Sequence, residues 1–187
     1  MDFGHSGGLA PARARIARAI NPVVRYELCR IDTDDRVRRN DRCGRLRRRL
    51  LDLSDRKPAF MSAISPAKVL RRSGLLGGVS CLFMNLREAI ALAGFSPEEA
   101  ASPALALARL AQTGLRRAVV TNGAGEVLLL EDGSVSSLTP PPPRSIADVT
   151  GAGDALAGTA CAMLMFQKSF ASAVRAGIAA AVTNIES

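Results

Sequence analysis

From residue 58 onward, short apolar runs alternate with longer segments in which apolar positions recur at helical spacing. The short runs predict strands at 79–84 and 116–123, and a hairpin over 126–138 that turns at Asp132-Gly133. The helical segments are 65–74, 85–94, 96–114, 152–166 and 169–185. Because strands and helices alternate, we expect a largely parallel sheet covered by helices on at least one face.

The predicted helix boundaries rest on capping residues. Asn85 is placed as an N-cap, and Gly94 as the residue that ends the same helix. Ser96 and Pro97 suit the start of the next helix, since proline is well tolerated at the first helical position. Pro103 lies inside that segment, so the sequence predicts a break or a second start there.

Residues 1–57 have a different texture. They hold 15 Lys+Arg against 8 Asp+Glu, whereas residues 58–187 hold 10 against 9, so nearly all of the net charge of +8 lies in the first third. Their apolar residues keep no sustained period, and only 11–20 and 44–53 are amphipathic candidates for helices. We therefore divide the chain into an arginine-rich region, 1–57, and a folded α/β region, 58–187.

The composition excludes several classes of protein. No apolar run reaches the roughly 18 residues that a membrane span needs, and no apolar signal core precedes the first arginines. The four cysteines are far apart, which argues against a zinc site and a disulfide scaffold and favours a reducing cytoplasm. His5 is the only histidine, and the chain has no P-loop, no protein-kinase H-R-D set and no nucleophile elbow.

The stretch "ADVTGAGDALAG", 147–158, is the strongest candidate for chemistry. Gly151, Ala152 and Gly153 leave successive backbone amides unshielded at a helix start, an arrangement that gathers phosphate or a developing anion. Asp154 beside them would repel that anion unless its task were to take a proton from an incoming hydroxyl. Phosphoryl transfer to an alcohol explains the pairing. The alternative is that Asp154 only caps the helix and the small residues only allow close packing.

"DVTGAGDALAG" resembles the C-terminal signature of the PfkB family of carbohydrate and nucleoside kinases. Two further motifs follow the family in the correct order: Asn85 and Glu88 in "MNLREA", and 121–123 in "VVTNGAGEVLL". The resemblance covers about 58–187 and implies a partial ribokinase-like three-layer α/β/α sandwich. "ISPAKVLRR" and "AAAVTNIES" are similar to the pseudouridine-kinase-like branch in particular.

The resemblance implies a role for each matching residue. Asp154 would activate the acceptor hydroxyl of a sugar or nucleoside, and the amides of Gly151, Ala152 and Gly153 would stabilise the phosphoryl group leaving ATP. Glu88 would act on Mg²⁺ through water. The resemblance also implies ATP phosphate binding by Asn85, Thr121, Asn122 and Gly123. It implies that Asp148 and Thr150 hold a monovalent cation such as K⁺. The alternatives are a simple N-cap for Asn85, a solvated helix residue for Glu88 and a plain strand residue for Thr121.

The first third of the chain does not resemble the PfkB family. Family members are longer, and the half that carries their acceptor pocket and lid is not recognisable here, so we hypothesise a truncated or rearranged kinase. Two rival hypotheses stay open. One is a non-catalytic remnant that self-associates, for example as a homodimer, through exposed sheet edges. The second is nucleic-acid binding through Arg36–Arg49, which the absence of interleaved aromatic residues does not favour.

Overall fold

The computed structural model describes residues 58–63, 73–96 and 102–187. Four sequence predictions lie outside these ranges: the arginine-rich region 1–57 with its two candidate helices, most of the helix at 65–74, the start of the next helix at Pro97, and Arg36–Arg49 as a nucleic-acid contact.

Within these ranges the chain forms five strands, four α-helices and a 3₁₀-helix at Ser73–Gly78. The strands are β1 (Phe60–Ser62), β2 (Cys81–Asn85), β3 (Arg117–Thr121), β4 (Val127–Glu131) and β5 (Ser134–Leu138). The α-helices are α1 (Leu86–Leu92), α2 (Pro103–Ala111), α3 (Ala152–Met165) and α4 (Phe170–Glu186). Strand β1 was not predicted from the sequence, because three half-buried residues give no apolar run long enough to register.

The five strands form one sheet in the order β1-β2-β3-β4-β5. Strands β1, β2 and β3 are parallel, whereas β3, β4 and β5 pair antiparallel, so the sheet is mixed rather than largely parallel. The difference follows from connection length, since parallel neighbours need a long crossover and antiparallel neighbours need only a turn. Strands β4 and β5 meet at Asp132-Gly133, as predicted, and both residues have positive φ angles, 48° and 86°.

Side chains alternate across the sheet and build two cores. In β2, Leu82 and Met84 belong to one cluster, which also contains residues of α1 and α2. Cys81 and Phe83 belong to the other cluster, which contains residues of α3 and α4. Because period-2 alternation sends successive side chains to opposite faces, helices cover both sides of the sheet. The three-layer α/β/α arrangement is therefore confirmed.

The helix ends agree with the capping signals. The side chain of Asn85 caps α1, and Gly94, with a φ of 77°, follows its last turn. The amides of Gly94 and Phe95 donate to the carbonyls of Ala91 and Ile90, which is a Schellman arrangement. Helix α2 begins at Pro103 with Ser102 as its N-cap, so the predicted second start is confirmed.

Helices α3 and α4 pack against each other at unusually short range. A Cβ added at Gly177 of α4 would lie 2.6 Å from the backbone oxygen of Leu156 in α3. Only glycine allows the two backbones to approach this closely, and the contact holds α3 in place against its neighbour. No helix in the described ranges is long and apolar enough to cross a membrane.

Candidate active site

A cleft of about 220 Å³ opens at the carboxyl ends of the parallel strands β1, β2 and β3, and the start of α3 forms its opposite wall. In open α/β sheets ligands bind outside the carboxyl ends of the strands. The lining residues include five that the sequence singled out: Asn85, Glu88, Thr121, Gly153 and Asp154. These residues are up to 69 positions apart in the chain, and the fold brings them to one opening.

The first of these residues lie at the start of α1. The Asn85 side chain accepts a hydrogen bond from the Glu88 amide at 2.9 Å, and the Glu88 carboxylate accepts one from the Asn85 amide at 2.8 Å. This reciprocal pair is a capping box. Glu88 is only 3% exposed, yet it lines the cleft. A buried carboxylate is therefore held at the cleft wall by backbone hydrogen bonding.

The next residues lie at the end of β3. Thr121 pairs with Asn85 in the parallel register of β2 and β3, so the two residues end neighbouring strands side by side. Asn122 and Gly123 follow in an exposed turn, in which the amide of Gly125 donates to the carbonyl of Asn122 at 2.8 Å. They are adjacent to the lining residue Thr121 but do not themselves line the cleft.

The start of α3 differs in kind from the start of α1. Its N-cap is Gly151 in the left-handed conformation, with a φ of 84°, and no described side chain caps its first turn. The amides at the beginning of a helix have no intrahelical acceptor, and the helix dipole adds positive potential there. Asp154 lies in this first turn, is exposed, and lines the cleft together with Gly153.

The segment before α3 lies outside the cleft lining. Asp148 and Thr150 of this segment are exposed, and Ala152, the first residue of α3, is half-buried and does not line the cleft either. The Asp148 carboxylate accepts a hydrogen bond from the Thr150 amide at 2.8 Å, and this bond is the main cause of the lowered pKa of Asp148. The carbonyl of Thr150 accepts a hydrogen bond from the Asn184 side chain at 2.9 Å. Asp148 and Thr150 thus form a closed turn that leads into α3.

Three residues near the site were missed by sequence reasoning. Ser62 and Ala63 line the cleft at the end of β1, and Asn184 contacts the loop before α3. Ser62 and Ala63 were missed together with β1 itself. Asn184 contacts a residue 34 positions earlier, and no local pattern signals such a pair.

The two described thiols play no visible part in the cleft. Burial raises the pKa of the Cys81 thiol, and it raises that of Cys161 to about 12. Both cysteines are free: Cys81 of β2 is buried in the core, and Cys161 of α3 is half-buried and packs against the same cluster, as expected for structural residues.

Fold and cleft together define an α/β protein with a cleft at the carboxyl ends of its parallel strands. A model of the pfkB family of carbohydrate kinases matches residues 52–187. The chain belongs to this family, so the resemblance to the PfkB family is confirmed, whereas the pseudouridine-kinase-like branch stays a prediction.

Solved structures of kinases share the fold. A carbohydrate kinase from Agrobacterium tumefaciens is 36% identical with a TM-score of 0.59, over 75% of this chain and 45% of that one. An adenosine kinase from Anopheles gambiae is 25% identical with a TM-score of 0.62, and the match covers 72% of this chain and 45% of the adenosine kinase. A ribokinase from Thermotoga maritima, 22% identical with a TM-score of 0.62 over 73% and 46%, supports the ribokinase-like fold alone. The chain spans less than half the length of each of these structures.

Proposed function

We propose that this chain carries the phosphoryl-transfer site of an ATP-dependent kinase acting on a hydroxyl group of a sugar or nucleoside. One observation carries the proposal. Asp154 is exposed at an uncapped helix N-terminus and lines the same cleft as Glu88 and Thr121. A carboxylate beside unshielded amides suits a reaction in which an anion is held and a neutral hydroxyl is deprotonated.

The glycine at position 153 is better explained by ligand binding than by helix packing. A Cβ added there would meet no atom within 4 Å, and the residue does not have a positive φ angle. Neither steric crowding nor backbone conformation therefore requires glycine at this position. The missing side chain leaves free space at the cleft surface beside the start of α3, which is where we propose that the phosphoryl group binds.

In the proposed reaction, Asp154 accepts the proton of the acceptor hydroxyl while the acceptor oxygen bonds to the γ-phosphorus of ATP. The bond between that phosphorus and the bridging oxygen breaks, and ADP leaves. Amides of the 151–154 turn stabilise the negative charge on the transferring group. Asn85, Thr121, Asn122 and Gly123 are proposed to contact the ATP phosphates.

The residues of the cleft fit Mg²⁺ that arrives with ATP. In the described ranges no three acidic, histidine or cysteine side chains cluster as a metal cage. Mg²⁺ keeps several of its waters and is often held by one carboxylate plus substrate phosphates. The buried Glu88 carboxylate at the cleft wall suits that role, and the ion would neutralise phosphate charge. Asp148 and Thr150 are proposed to hold a monovalent cation such as K⁺.

We propose pseudouridine as the first acceptor to test and the cytoplasm as the location. The acceptor rests on the similarity of 64–72 and 179–187 to pseudouridine-kinase-like sequences. Residues 58–187 are proposed to be the kinase part of the chain, distinct from the arginine-rich 1–57.

The experiment has two stages and uses the whole chain. Equilibrium binding of a non-hydrolysable ATP analogue is measured with and without Mg²⁺, and tighter binding with the metal is expected. Transfer of the γ-phosphate from labelled ATP is then measured for ribose, fructose, adenosine and pseudouridine. Phosphorylated product from at least one acceptor is expected.

The outcomes separate the three hypotheses that the sequence leaves open. Binding with turnover supports the kinase. Binding without turnover for any acceptor identifies a non-catalytic remnant and overturns the proposed activity. No nucleotide binding together with salt-dependent binding of RNA or DNA would instead favour the nucleic-acid hypothesis.

A further inference from the structure

The segment that leads into α3 is fastened to the last turn of α4. The amide of Arg144 donates to the Glu186 carboxylate at 2.6 Å, and the amide of Ala147 donates to the carbonyl of Ile185 at 2.9 Å. The side-chain amide of Asn184 donates to the carbonyl of Thr150 at 2.9 Å. Three consecutive residues of one helix thus support the path of the chain toward the cleft.

Asn184 is the member of this set that reaches the peptide group next to Gly151. The amide of Thr150 is already held by the Asp148 carboxylate at 2.8 Å, so Asn184 fixes the other end of the residue. A trans peptide bond is planar, and its N–H points opposite to its carbonyl. Holding the Thr150 carbonyl therefore also sets the direction of the Gly151 amide.

Asn184 also borders Gly151 itself. A Cβ added at Gly151 would lie 3.7 Å from the Asn184 side-chain oxygen, which is ordinary contact. Gly151 has a positive φ of 84°, and its carbonyl accepts the first hydrogen bond of α3, from Ala155 at 2.8 Å. The direction in which α3 begins, and with it the direction of Gly153 and Asp154, depends on the peptide that Asn184 holds.

We propose that Asn184 is a positioning residue for the amide turn at 151–154, an inference that rests on the proposed phosphoryl transfer. Asn184 does not line the cleft. It acts through the Thr150–Gly151 peptide, which it holds in the orientation that presents the turn to the transferring phosphoryl group. Asn184 therefore stabilises the transition state of phosphoryl transfer and does not change the affinity for ADP.

The test compares binding of two ligands to the whole chain. ADP with Mg²⁺ reports nucleotide affinity, whereas ADP with Mg²⁺ and aluminium fluoride mimics the transferring group. Asn184→Ala removes the hydrogen bond, and Asn184→Asp removes the donor while keeping the size of the side chain. Thr183→Ala is the matched control, because the Thr183 hydroxyl donates only to the carbonyl of Ala179 within α4.

The expected result is a split between the ligands. Both Asn184 variants weaken binding of the fluoride complex about tenfold, in keeping with one lost hydrogen bond. Affinity for ADP with Mg²⁺ but without fluoride changes less than about twofold, because this ligand lacks the group that the turn holds. Thr183→Ala changes neither affinity. Should Asn184→Ala fail to fold, the isosteric Asn184→Asp supplies the same comparison.

Three results would overturn the inference. Unchanged affinity for both ligands means that Asn184 does not position the turn, and equal loss for both means a general structural role. In either case the wild type still prefers the fluoride complex, and the proposed function stands. A wild type that binds the fluoride complex no tighter than ADP removes the proposed function and the positioning role together.

Discussion

Helices α1 and α3 both begin at the cleft, yet their first turns are built in opposite ways. Asn85 and Glu88 close the start of α1 by reciprocal hydrogen bonds. The start of α3 has a bare glycine as its N-cap, and no described side chain serves its amides. A side-chain cap typically contributes about 0.5–2 kcal/mol of stability to a helix end, and α3 lacks this contribution. We propose that the uncapped start of α3, here called the open end, is the one that binds a ligand, whereas the capped start of α1, the closed end, forms part of the cleft wall.

Asp154→Asn probes the open end and should have the largest effect. The variant keeps the size of the side chain but removes the proposed base, so turnover with the best acceptor should fall by about 10²–10⁴. The thermal midpoint should stay unchanged, because the Asp154 side chain is exposed and does not cap the helix. Steady-state kinetics and thermal unfolding measure the two effects.

Glu126→Gln is the matched control for this substitution. Glu126 is an exposed acid in the loop before β4 and does not line the cleft. A comparable loss of turnover in the control would show that surface charge, and not the position of Asp154, governs the rate.

Gly177→Ala probes the packing that holds the open end in place. The new Cβ would lie 2.6 Å from the Leu156 backbone oxygen, so the helices must separate. We expect a loss of about 1–3 kcal/mol in the free energy of unfolding, typical of overpacking, measured by chemical denaturation.

Gly158→Ala supplies the contrast in α3, because a Cβ there meets no atom within 4 Å. This change should raise stability by about 0.5–1 kcal/mol through helix propensity. Equal effects of the two glycine substitutions would contradict the close approach of α3 and α4.

Asn85→Ala probes the closed end. Loss of the N-cap should lower the free energy of unfolding by about 1 kcal/mol, and it leaves the Glu88 amide without its partner. Ser102→Ala, which removes the exposed cap of α2, is the comparison for an end that lies away from the cleft. If Asn85→Ala left stability intact, the contrast between the two helix ends would be lost.

Gly153→Ala separates stability from function at the open end. Because there is room for a Cβ and the residue is helical, stability should rise by about 0.5–1 kcal/mol. Gly153 lines the cleft, so the added methyl group would occupy space that the proposed phosphoryl group needs, and turnover should fall at the same time. A stabilised variant with undiminished turnover would argue against anion binding at this turn.

Asp148 should give the smallest effect, visible only in acid. Its pKa is lowered from 3.8, chiefly by the hydrogen bond from the Thr150 amide, so its charged form stabilises the folded state. That stabilisation is fully present above pH 3.8 and is lost as the pH falls through the lower, folded-state value. The stability difference between wild type and Asp148→Asn should therefore be constant near neutral pH and shrink below pH 3.8. Denaturation series across that range measure it.

The sequence correctly predicted the features that depend on interactions between residues close together in the chain. The cap at Asn85, the helix start at Pro103 and the turn at Asp132-Gly133 depend on neighbours within a few residues, and the structure follows all three. The position of Asp154 in the first turn of a helix is of the same kind.

Features of a second kind depend on partners that are distant in sequence. Strand β1 exists through its pairing with β2, some 20 residues further on, and is too short to leave a pattern of its own. The mixed sheet and the contact of Asn184 with Thr150 likewise depend on how segments meet in space. The roles of the site residues in catalysis stay predictions.

A structure of the protein with ADP, Mg²⁺, aluminium fluoride and a bound acceptor would show directly whether the open end of α3 holds the transferring group. We expect the fluoride group within about 3 Å of amide nitrogens in the 151–154 turn, with the Asp154 carboxylate hydrogen-bonded to the acceptor hydroxyl. A fluoride group bound away from this turn, or an Asp154 carboxylate that faces no hydroxyl, would contradict the proposed phosphoryl transfer.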